Sequence, residues 1–299
     1  MQLRVRDAES VPGGRVASAS MDGEEASLGG GSSEVRLVDG VVYRLSRPWT
    51  PTVHTVLRFL EEQGFSGSPR VEGSGLSPDG FETLTYIEGD DLPSTGLSEE
   101  GAFAVGTLLR SAHDTLRNFT PLGDEVWMPC WVRSLPGDDW ILGHCDVAPW
   151  NLVCRDAVPI ALVDWDSCGP VALVWELAHA IWLNCQLFDE DAESRELPSV
   201  RDRLILARLI CDGYGVSFEM RKKLPDALIE VAVRTAAQEA VDSGVTEVGY
   251  FPVKQGLLGG GEPFSGHELA WAMTWRIRSA RWLLDNRSAL AEAIIRSGA

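Results

Sequence analysis

The stretch His144-Cys145-Asp146-Val147-Ala148-Pro149-Trp150-Asn151, answered further on by Val163-Asp164-Trp165-Asp166, decides how this chain is read. It puts a carboxylate and an amide behind a histidine, with a second pair of acids beyond a short apolar strand. Pro149 disfavours helix at Ala148, so Asp146 to Asn151 reads as a fixed loop. Asp139-Trp140-Ile141-Leu142 reads as a short approach to it. Leu152-Val153-Cys154 and Ile160-Ala161-Leu162-Val163 read as two strands around a turn at Arg155 to Pro159. Such a hairpin returns Asp164 beside Asn151. Taken singly, an Asp near an Asn is a turn residue, and His144 is a core or hydrogen-bonding histidine. The joint order of His, Asp, Asn, strand, strand and Asp-x-Asp is what points to a site.

Those groups suit the transfer of a phosphoryl group from a magnesium nucleotide to a hydroxyl. The reaction needs little covalent help from the protein; it needs an aimed acceptor and cations that hold the developing charge. Magnesium is a hard ion that takes carboxylate, amide and water oxygens. Asn151 and Asp164 are the expected metal ligands. Asp146 stands where it can accept the acceptor's proton or orient its hydroxyl. His144 is grouped with Asp146 as a candidate catalytic residue; its alternative role is to brace the loop through a backbone carbonyl. The spacing of His144, Asp146 and Asn151 is that of the kinase catalytic loop.

From Gly143 to Ala178 the chain resembles the signature of the aminoglycoside phosphotransferase and choline kinase superfamily, small-molecule kinases with a two-lobed protein-kinase-like fold. The family pattern is roughly His-Gly-Asp-x-x-x-x-Asn, a hairpin, Ile-Asp-Trp/Phe-Asp, Gly-Pro, then Trp-Asp-Leu-Ala. Here it stands as His144-Cys145-Asp146, Asn151, Val163 to Asp166, Gly169-Pro170 and Trp175-Glu176-Leu177-Ala178. Cys145 replaces the usual Gly and Glu176 the usual Asp. The resemblance implies that Asp146 is the catalytic aspartate, that Asn151 and Asp164 hold Mg2+, and that Asp166 supports the loop. It implies an α+β fold, with a small β-rich nucleotide lobe over residues 1–88 and a mainly helical catalytic and acceptor lobe over 89–299. Roughly the first 27 residues, polar and rich in Gly, Ser and acids, are expected to be partly mobile or to form only short strands.

The N-terminal part is expected to hold ATP or GTP. Gly29-Gly30-Gly31-Ser32 enters a strand, and the amides of Gly30, Gly31 and Ser32 suit phosphate oxygens. A flexible linker reads equally well from the same residues. Two strands follow, Glu34 to Val38 and Val41 to Leu45, joined by Asp39-Gly40, a strong hairpin signal. The resemblance gives Arg44, on the second strand, the phosphate-pairing role that a lysine has in kinases; a solvated strand-end arginine is the alternative. Thr50-Pro51 reads as an N-cap with proline in the first turn of a helix, with Val53, Val56, Leu57 and Leu60 as its apolar stripe. Kinases place a glutamate on this helix to pair with the lysine; the aligned residue here is His54, a departure. Phe81 to Ile87 reads as a strand, and Glu88-Gly89 resembles the lobe hinge. By the resemblance, backbone groups at Thr85, Tyr86 and Ile87 bind the adenine edge.

The chain has 299 residues, enough for both lobes. The net charge of −18 argues against a nucleic-acid partner and favours a cationic ligand. The acids from Asp189 and Glu190 onward are candidates for an acidic acceptor cup, with a solvated loop as the alternative. Trp150, Asp166 and Glu176 are further candidates to touch the acceptor or support the site. The cysteines show no C-x-x-C pair and no secretory signal precedes them, so they read as reduced thiols in a cytoplasmic protein. Val171 to Phe188 is apolar but interrupted by Glu176, His179 and Asn184. It reads as a buried helix rather than a membrane span. Leu204 to Tyr214, Leu224 to Val241 and His267 to Asn286 carry helical spacing, and Gly256 to Gly266 reads as a loop. Trp271, Trp275 and Trp282 share one helix face, as core packing or as an aromatic acceptor wall.

These observations lead to an ATP- or GTP-dependent small-molecule O-phosphotransferase, with an aminoglycoside-like cationic antibiotic as the favoured acceptor. The alternatives are a choline-like, macrolide or sugar acceptor, a nucleotide-binding pseudokinase, or metal-dependent hydrolysis at the acid cluster. The last lacks the histidine ligands such sites use.

Overall fold

The computed structural model describes residues 26–28, 35–192, 196–247, 249–250 and 266–295. Its N-terminal part carries an antiparallel sheet in the order β1-β2-β3-β5-β4, made of Ala26–Leu28, Val35–Val38, Val41–Leu45, Phe81–Thr85 and Val71–Leu76 as β1, β2, β3, β5 and β4. The Asp39-Gly40 turn has both residues at positive φ (50° and 77°), the geometry that matches strand twist and sets the β2–β3 register. β3 pairs with β5 so that Arg44 lies directly opposite Glu82.

Between β3 and β4 runs α1, Thr50–Glu62. It buries Val53, Val56, Leu57 and Leu60, as its spacing predicts, and it also buries His54. Its N-cap is Trp49 rather than Thr50. Thr50 instead accepts a hydrogen bond from the Arg47 amide through Oγ1 (2.9 Å), which closes the turn before the helix.

The second half is mainly helical: α2 Glu99–Leu116, α3 Leu173–Asn184, α4 Val200–Tyr214, α5 Phe218–Asp242, α6 Gly266–Asp285 and α7 Arg287–Ile295. Ser98, Ser199 and Ser217 cap α2, α4 and α5 through their side chains. α5 starts earlier than periodicity suggests and runs through Pro225, because the buried residues Met220, Leu224 and Leu228 continue its inner face across the proline. α2 and α4 approach closely enough that a Cβ on Gly106 would lie 2.2 Å from the Ile210 carbonyl oxygen. Short antiparallel pairs sit among these helices. β6 (Trp140–Gly143) pairs with β9 (Gly169–Ala172), β7 (Leu152–Arg155) with β8 (Val158–Leu162), and β10 (Val245–Thr246) with β11 (Gly249–Tyr250). The turn between β7 and β8 is tighter than the sequence suggests, since Asp156 and Ala157 both take positive φ and leave Pro159 in the strand.

One apolar core runs from Val53 and Leu57 of α1 through Trp165 and Leu177 to Ile294 of α7. The connection out of β5 is pinned to it, because Asp90 and Cys154 exchange backbone hydrogen bonds of 2.8 Å in both directions. Gly89 is needed there: a Cβ would lie 2.5 Å from the Cys154 carbonyl oxygen. The fold is therefore two-lobed, as expected, with a small antiparallel sheet in one lobe and helices dominating the other. Among the described residues, no helix is long and apolar enough to cross a membrane.

Candidate active site

The 144–151 loop leaves β6 and is held from below. The buried Glu176 carboxylate, in the first turn of α3, accepts from the His144 amide (2.9 Å) and the Cys145 amide (2.9 Å). Asn184, at the other end of α3, donates through Nδ2 to the Val147 carbonyl (2.8 Å). Two of the three polar residues that break the apolar run of α3, Glu176 and Asn184, are thus the ones that grip the loop. His113 of α2 lies 3.7 Å from Glu176 through Nε2 and meets the Tyr214 hydroxyl at 2.9 Å through Nδ1. Burial works to raise the Glu176 pKa, but the neighbouring histidines outweigh it and hold the carboxyl below its ordinary value.

His144 is buried, and both ring nitrogens face the backbone. Nε2 donates to the Val163 carbonyl (3.0 Å), and Nδ1 accepts from the Asp146 amide (3.3 Å). Burial holds its pKa below the ordinary histidine value. A neutral ring with both nitrogens engaged braces the loop and has no spare atom for proton transfer, the second of the two roles its sequence allowed. Cys145 adopts φ of +64°, the left-handed region. This is the physical reason that glycine suits this place in the pattern.

Asp146 and Asn151 are joined: Asn151 Nδ2 donates to the Asp146 carbonyl oxygen (2.8 Å) and to its Oδ2 (2.9 Å). With Nδ2 so engaged, Asn151 offers a cation only its Oδ1. The β7–β8 hairpin closes as the spacing predicts, and the Val163 amide donates to the Asn151 carbonyl (2.9 Å). Asp164 follows at φ 61° and ψ 63°, which turns its half-exposed carboxylate back toward Asp146. Burial above all, and then the Asp164 charge, push the Asp146 pKa up to about 7, against the pull of Asn151. The Asp164 carboxylate and the Asn151 amide oxygen are hard donors that fit Mg2+, which keeps waters and takes substrate phosphates for its remaining positions. Among the described residues, no larger group of His, Cys, Asp or Glu gathers as a metal cluster.

Arg44 reaches the same acids from the sheet. Nη1 donates to Asp164 Oδ1 (2.9 Å) and Nη2 to Asp166 Oδ1 (2.7 Å). Its Nε pairs with Glu82 Oε2, and His54 Nε2 donates to the other Glu82 oxygen (2.9 Å). Arg44 is therefore no solvated strand-end residue. Burial works to lower its pKa, and Asp166, Glu82 and Asp164 together raise it above the ordinary arginine value. Burial likewise works to raise the Glu82 pKa, but Arg44 and His54 bring it below the ordinary glutamate value. Glu82 is inconspicuous in the sequence because it sits inside a strand that mixes polar and apolar residues, 38 positions from Arg44. The signal that would have found it is the β3–β5 register.

Thr85 and Tyr86 spend their amides on Arg70 (2.9 Å) and Gly40 (2.8 Å), so neither amide is presented to a ligand. Trp150 is 38% exposed at the end of the loop. Asp166 sits beside Arg44, and Glu176 lies beneath the loop rather than on a surface an acceptor can reach. Asp189 and Glu190 are not a free acidic cup: Asp189 pairs with Arg278 (3.0 Å) and Glu190 with the buried Arg203. Trp282 is buried under Arg203, and Trp275 packs on Trp182 and Phe188, so this helix face is core packing. Gly30, Gly31, Ser32, Glu193 and nearly all of the Gly256 to Gly266 loop lie outside the described residues.

No family model matches the chain. It is 41% identical over 276 residues to the trifolitoxin immunity protein of Rhizobium leguminosarum bv. trifolii, covering 92% of this chain and 100% of that one. The chain belongs to the trifolitoxin immunity protein family. Solved structures extend this to the fold. A microcompartment-associated aminopropanol kinase matches 93% of this chain and 96% of its own, with a TM-score of 0.59 and 14% identity. An amicoumacin kinase solved with AMP-PNP and Ca2+ matches 86% and 88%, with a TM-score of 0.62 and 12% identity. A choline/ethanolamine kinase family protein from Mesorhizobium loti matches 93% and 94%, with a TM-score of 0.53 and 15% identity. A member of the trifolitoxin immunity family thus carries the fold of the aminoglycoside phosphotransferase and choline kinase superfamily, the resemblance that the 143–178 motif announces.

Proposed function

We propose that this protein is a nucleotide-dependent small-molecule O-phosphotransferase that disarms a toxin by phosphorylating one of its hydroxyls. The observation that carries this reading is the convergence of Asp146, Asn151 and Asp164 from one lobe with Arg44 from the other, the charge pattern that phosphoryl transfer needs. The name of the relative, an immunity protein against trifolitoxin, supports a toxin or antibiotic as the acceptor. The charge of −18 supports a cationic one.

In this reading the lobes divide after residue 88, and the nucleotide, ATP or GTP, lies in the cleft. The outer nitrogens of Arg44, which pair with Asp164 and Asp166 in the free protein, would turn to its α- and β-phosphates. The adenine edge meets backbone at Ile87 and the hinge rather than the amides of Thr85 and Tyr86. Asn151 Oδ1 and Asp164 would hold Mg2+, which supplies charge neutralisation on the phosphates when bound. Asp146 takes or orients the proton of the acceptor hydroxyl, and its loop is kept in place by His144, Glu176 and Asn184. Trp150, exposed at the end of the loop, is the side chain best placed to touch the acceptor. A need for ATP and free Mg2+ supports a cytoplasmic location.

The test is nucleoside diphosphate release with Mg2+ and ATP or GTP, across trifolitoxin, aminoglycosides, macrolides, choline and simple sugars, with Asp146→Asn as control. Acceptor-dependent release that the control loses supports the reading and names the acceptor. Nucleotide binding with no release for any acceptor leaves a pseudokinase or an acceptor outside the panel.

A further inference from the structure

In the kinase arrangement, the strand cation that holds the nucleotide phosphates is aimed by a glutamate on the following helix. α1 carries no such glutamate facing Arg44; it presents His54. The carboxylate comes instead from β5. Arg44 and Glu82 are directly opposed residues of the β3–β5 pair, so their side chains leave the same face of the sheet. Glu82 is 1% exposed, binds Arg44 at Nε, and leaves Nη1 and Nη2 directed across the cleft to Asp164 and Asp166. Its second oxygen takes the His54 Nε2–H at 2.9 Å, so the helix contributes a hydrogen bond to the carboxylate rather than the carboxylate itself.

We infer that Glu82 is the positioning residue for Arg44, doing from within the sheet what the helix glutamate does elsewhere in this fold, with His54 fixing its carboxylate. The inference rests on the phosphotransferase reading of the cleft. It has a consequence for control. A helix–strand ion pair is made or broken when the helix swings, whereas a cross-strand pair is fixed by backbone register. Arg44 therefore keeps its carboxylate partner whether or not α1 moves, and the ion pair needs no activating rearrangement to form. His54 holds the carboxylate's rotamer, so its loss loosens the aim without removing the ion pair.

The experiment measures binding of magnesium AMP-PNP and, separately, of adenosine to the full chain by calorimetry. Glu82→Gln is expected to weaken magnesium AMP-PNP roughly 10- to 100-fold, the worth of a hydrogen bond to a charged group, and to leave adenosine unchanged. His54→Glu in the Glu82→Gln background returns a carboxylate to the helix and is expected to recover most of the loss. His54→Ala alone is expected to cost less than Glu82→Gln. Unchanged magnesium AMP-PNP binding by folded Glu82→Gln overturns the inference. So does equal weakening of adenosine, or no recovery in the double variant, since either gives Glu82 a merely structural part. If Glu82→Gln does not fold, Glu82→Asp keeps the charge and shortens the reach; weakened analogue binding supports the inference and native binding overturns it. A native chain that binds no magnesium AMP-PNP fails the phosphotransferase reading itself, and the inference falls with it. A native chain that binds while Glu82→Gln is unaffected fails the inference alone.

Discussion

On one wall of the site, the 144–151 loop is gripped from beneath by polar side chains of α3: the Glu176 carboxylate under two loop amides and the Asn184 amide on a loop carbonyl. On the other wall, Arg44 is held by Glu82, its own neighbour across the sheet. The first wall needs buried polar groups because a loop has no ladder to satisfy its backbone, and an unpaired buried amide is costly. The second needs only His54 beyond the pair itself, because strand register delivers the partner. A loop wall is therefore expected to be fragile to removal of its supports, and a sheet wall to be fragile only at the pair.

The largest break in this comparison is at the chemistry. Asp146→Asn should lower acceptor-dependent turnover by about 10²–10⁴-fold while magnesium AMP-PNP affinity stays near native, because Asn keeps the hydrogen bond from Asn151 and loses only the basic oxygen. Steady-state kinetics beside calorimetry checks it. Native turnover in the variant would remove Asp146 from the reaction.

Next comes the grip. Glu176→Ala strips the acceptor from two buried amides and should destabilise the protein by about 2–5 kcal/mol, read as a shift in the denaturant midpoint. An exposed acid such as Glu219 offers the contrast, since its pair with Lys222 is a surface one and its loss should move the midpoint by less than about 0.5 kcal/mol. Equal effects at the two sites would mean that the loop is not held from α3.

How much of this was legible follows the same division. The loop wall is written in short-range spacing, so Asp146, Asn151 and Asp164 could be placed from residues alone, and the hairpin returned Asp164 where alternation said it would. Glu176 was seen as part of a motif, but its seat beneath the loop depends on how α3 packs. Asn184 was visible only as an interruption of an apolar run. On the sheet wall, Arg44 was found from the hairpin and the resemblance, whereas Glu82 was missed. Its partner lies 38 positions away, and pairing at that distance is set by a strand order, β2-β3-β5, that skips an element. The acids at Asp189 and Glu190 failed for a related reason. A run of like charge looks free in sequence, and its arginines, Arg278 and Arg203, arrive from elsewhere in the chain.

A smaller effect comes from the Asp146 charge itself. With a pKa of about 7 in the fold against an ordinary 3.8, the native state binds more protons than the unfolded chain between these values. Stability therefore falls as pH rises through that window, and the full cost is present above it. Asp146→Asn removes the cost. In protein freed of metal and nucleotide, the variant should match the native chain near pH 4 and exceed it by about 1–3 kcal/mol near pH 8, the lower part of the range reflecting the carboxylate's residual contact with water. Thermal unfolding at both pH values checks this. A variant gain that is the same at both would show that the buried charge is not its source.

The smallest effect is expected for Cys145→Gly, and it separates backbone strain from side-chain packing. The left-handed φ of +64° costs a residue with a Cβ about 1–2 kcal/mol, which Cys145→Gly removes. Against this, glycine brings back roughly 0.5–1 kcal/mol of unfolded-chain entropy. It also gives up the packing of a buried thiol against Val132 and Val171, a contact of about a methylene's worth, ~0.8 kcal/mol. The contributions nearly cancel, so Cys145→Gly should lie within about 1 kcal/mol of native and keep its turnover. Cys145→Val keeps the burial but puts a β-branched side chain at positive φ, directly under the amide that Glu176 accepts. It should lose more than about 2 kcal/mol and disturb Asp146 next door. A Val variant as stable and active as Gly would mean that the loop absorbs the change in backbone angle, and that the grip from α3 is looser than the hydrogen bonds to Glu176 imply.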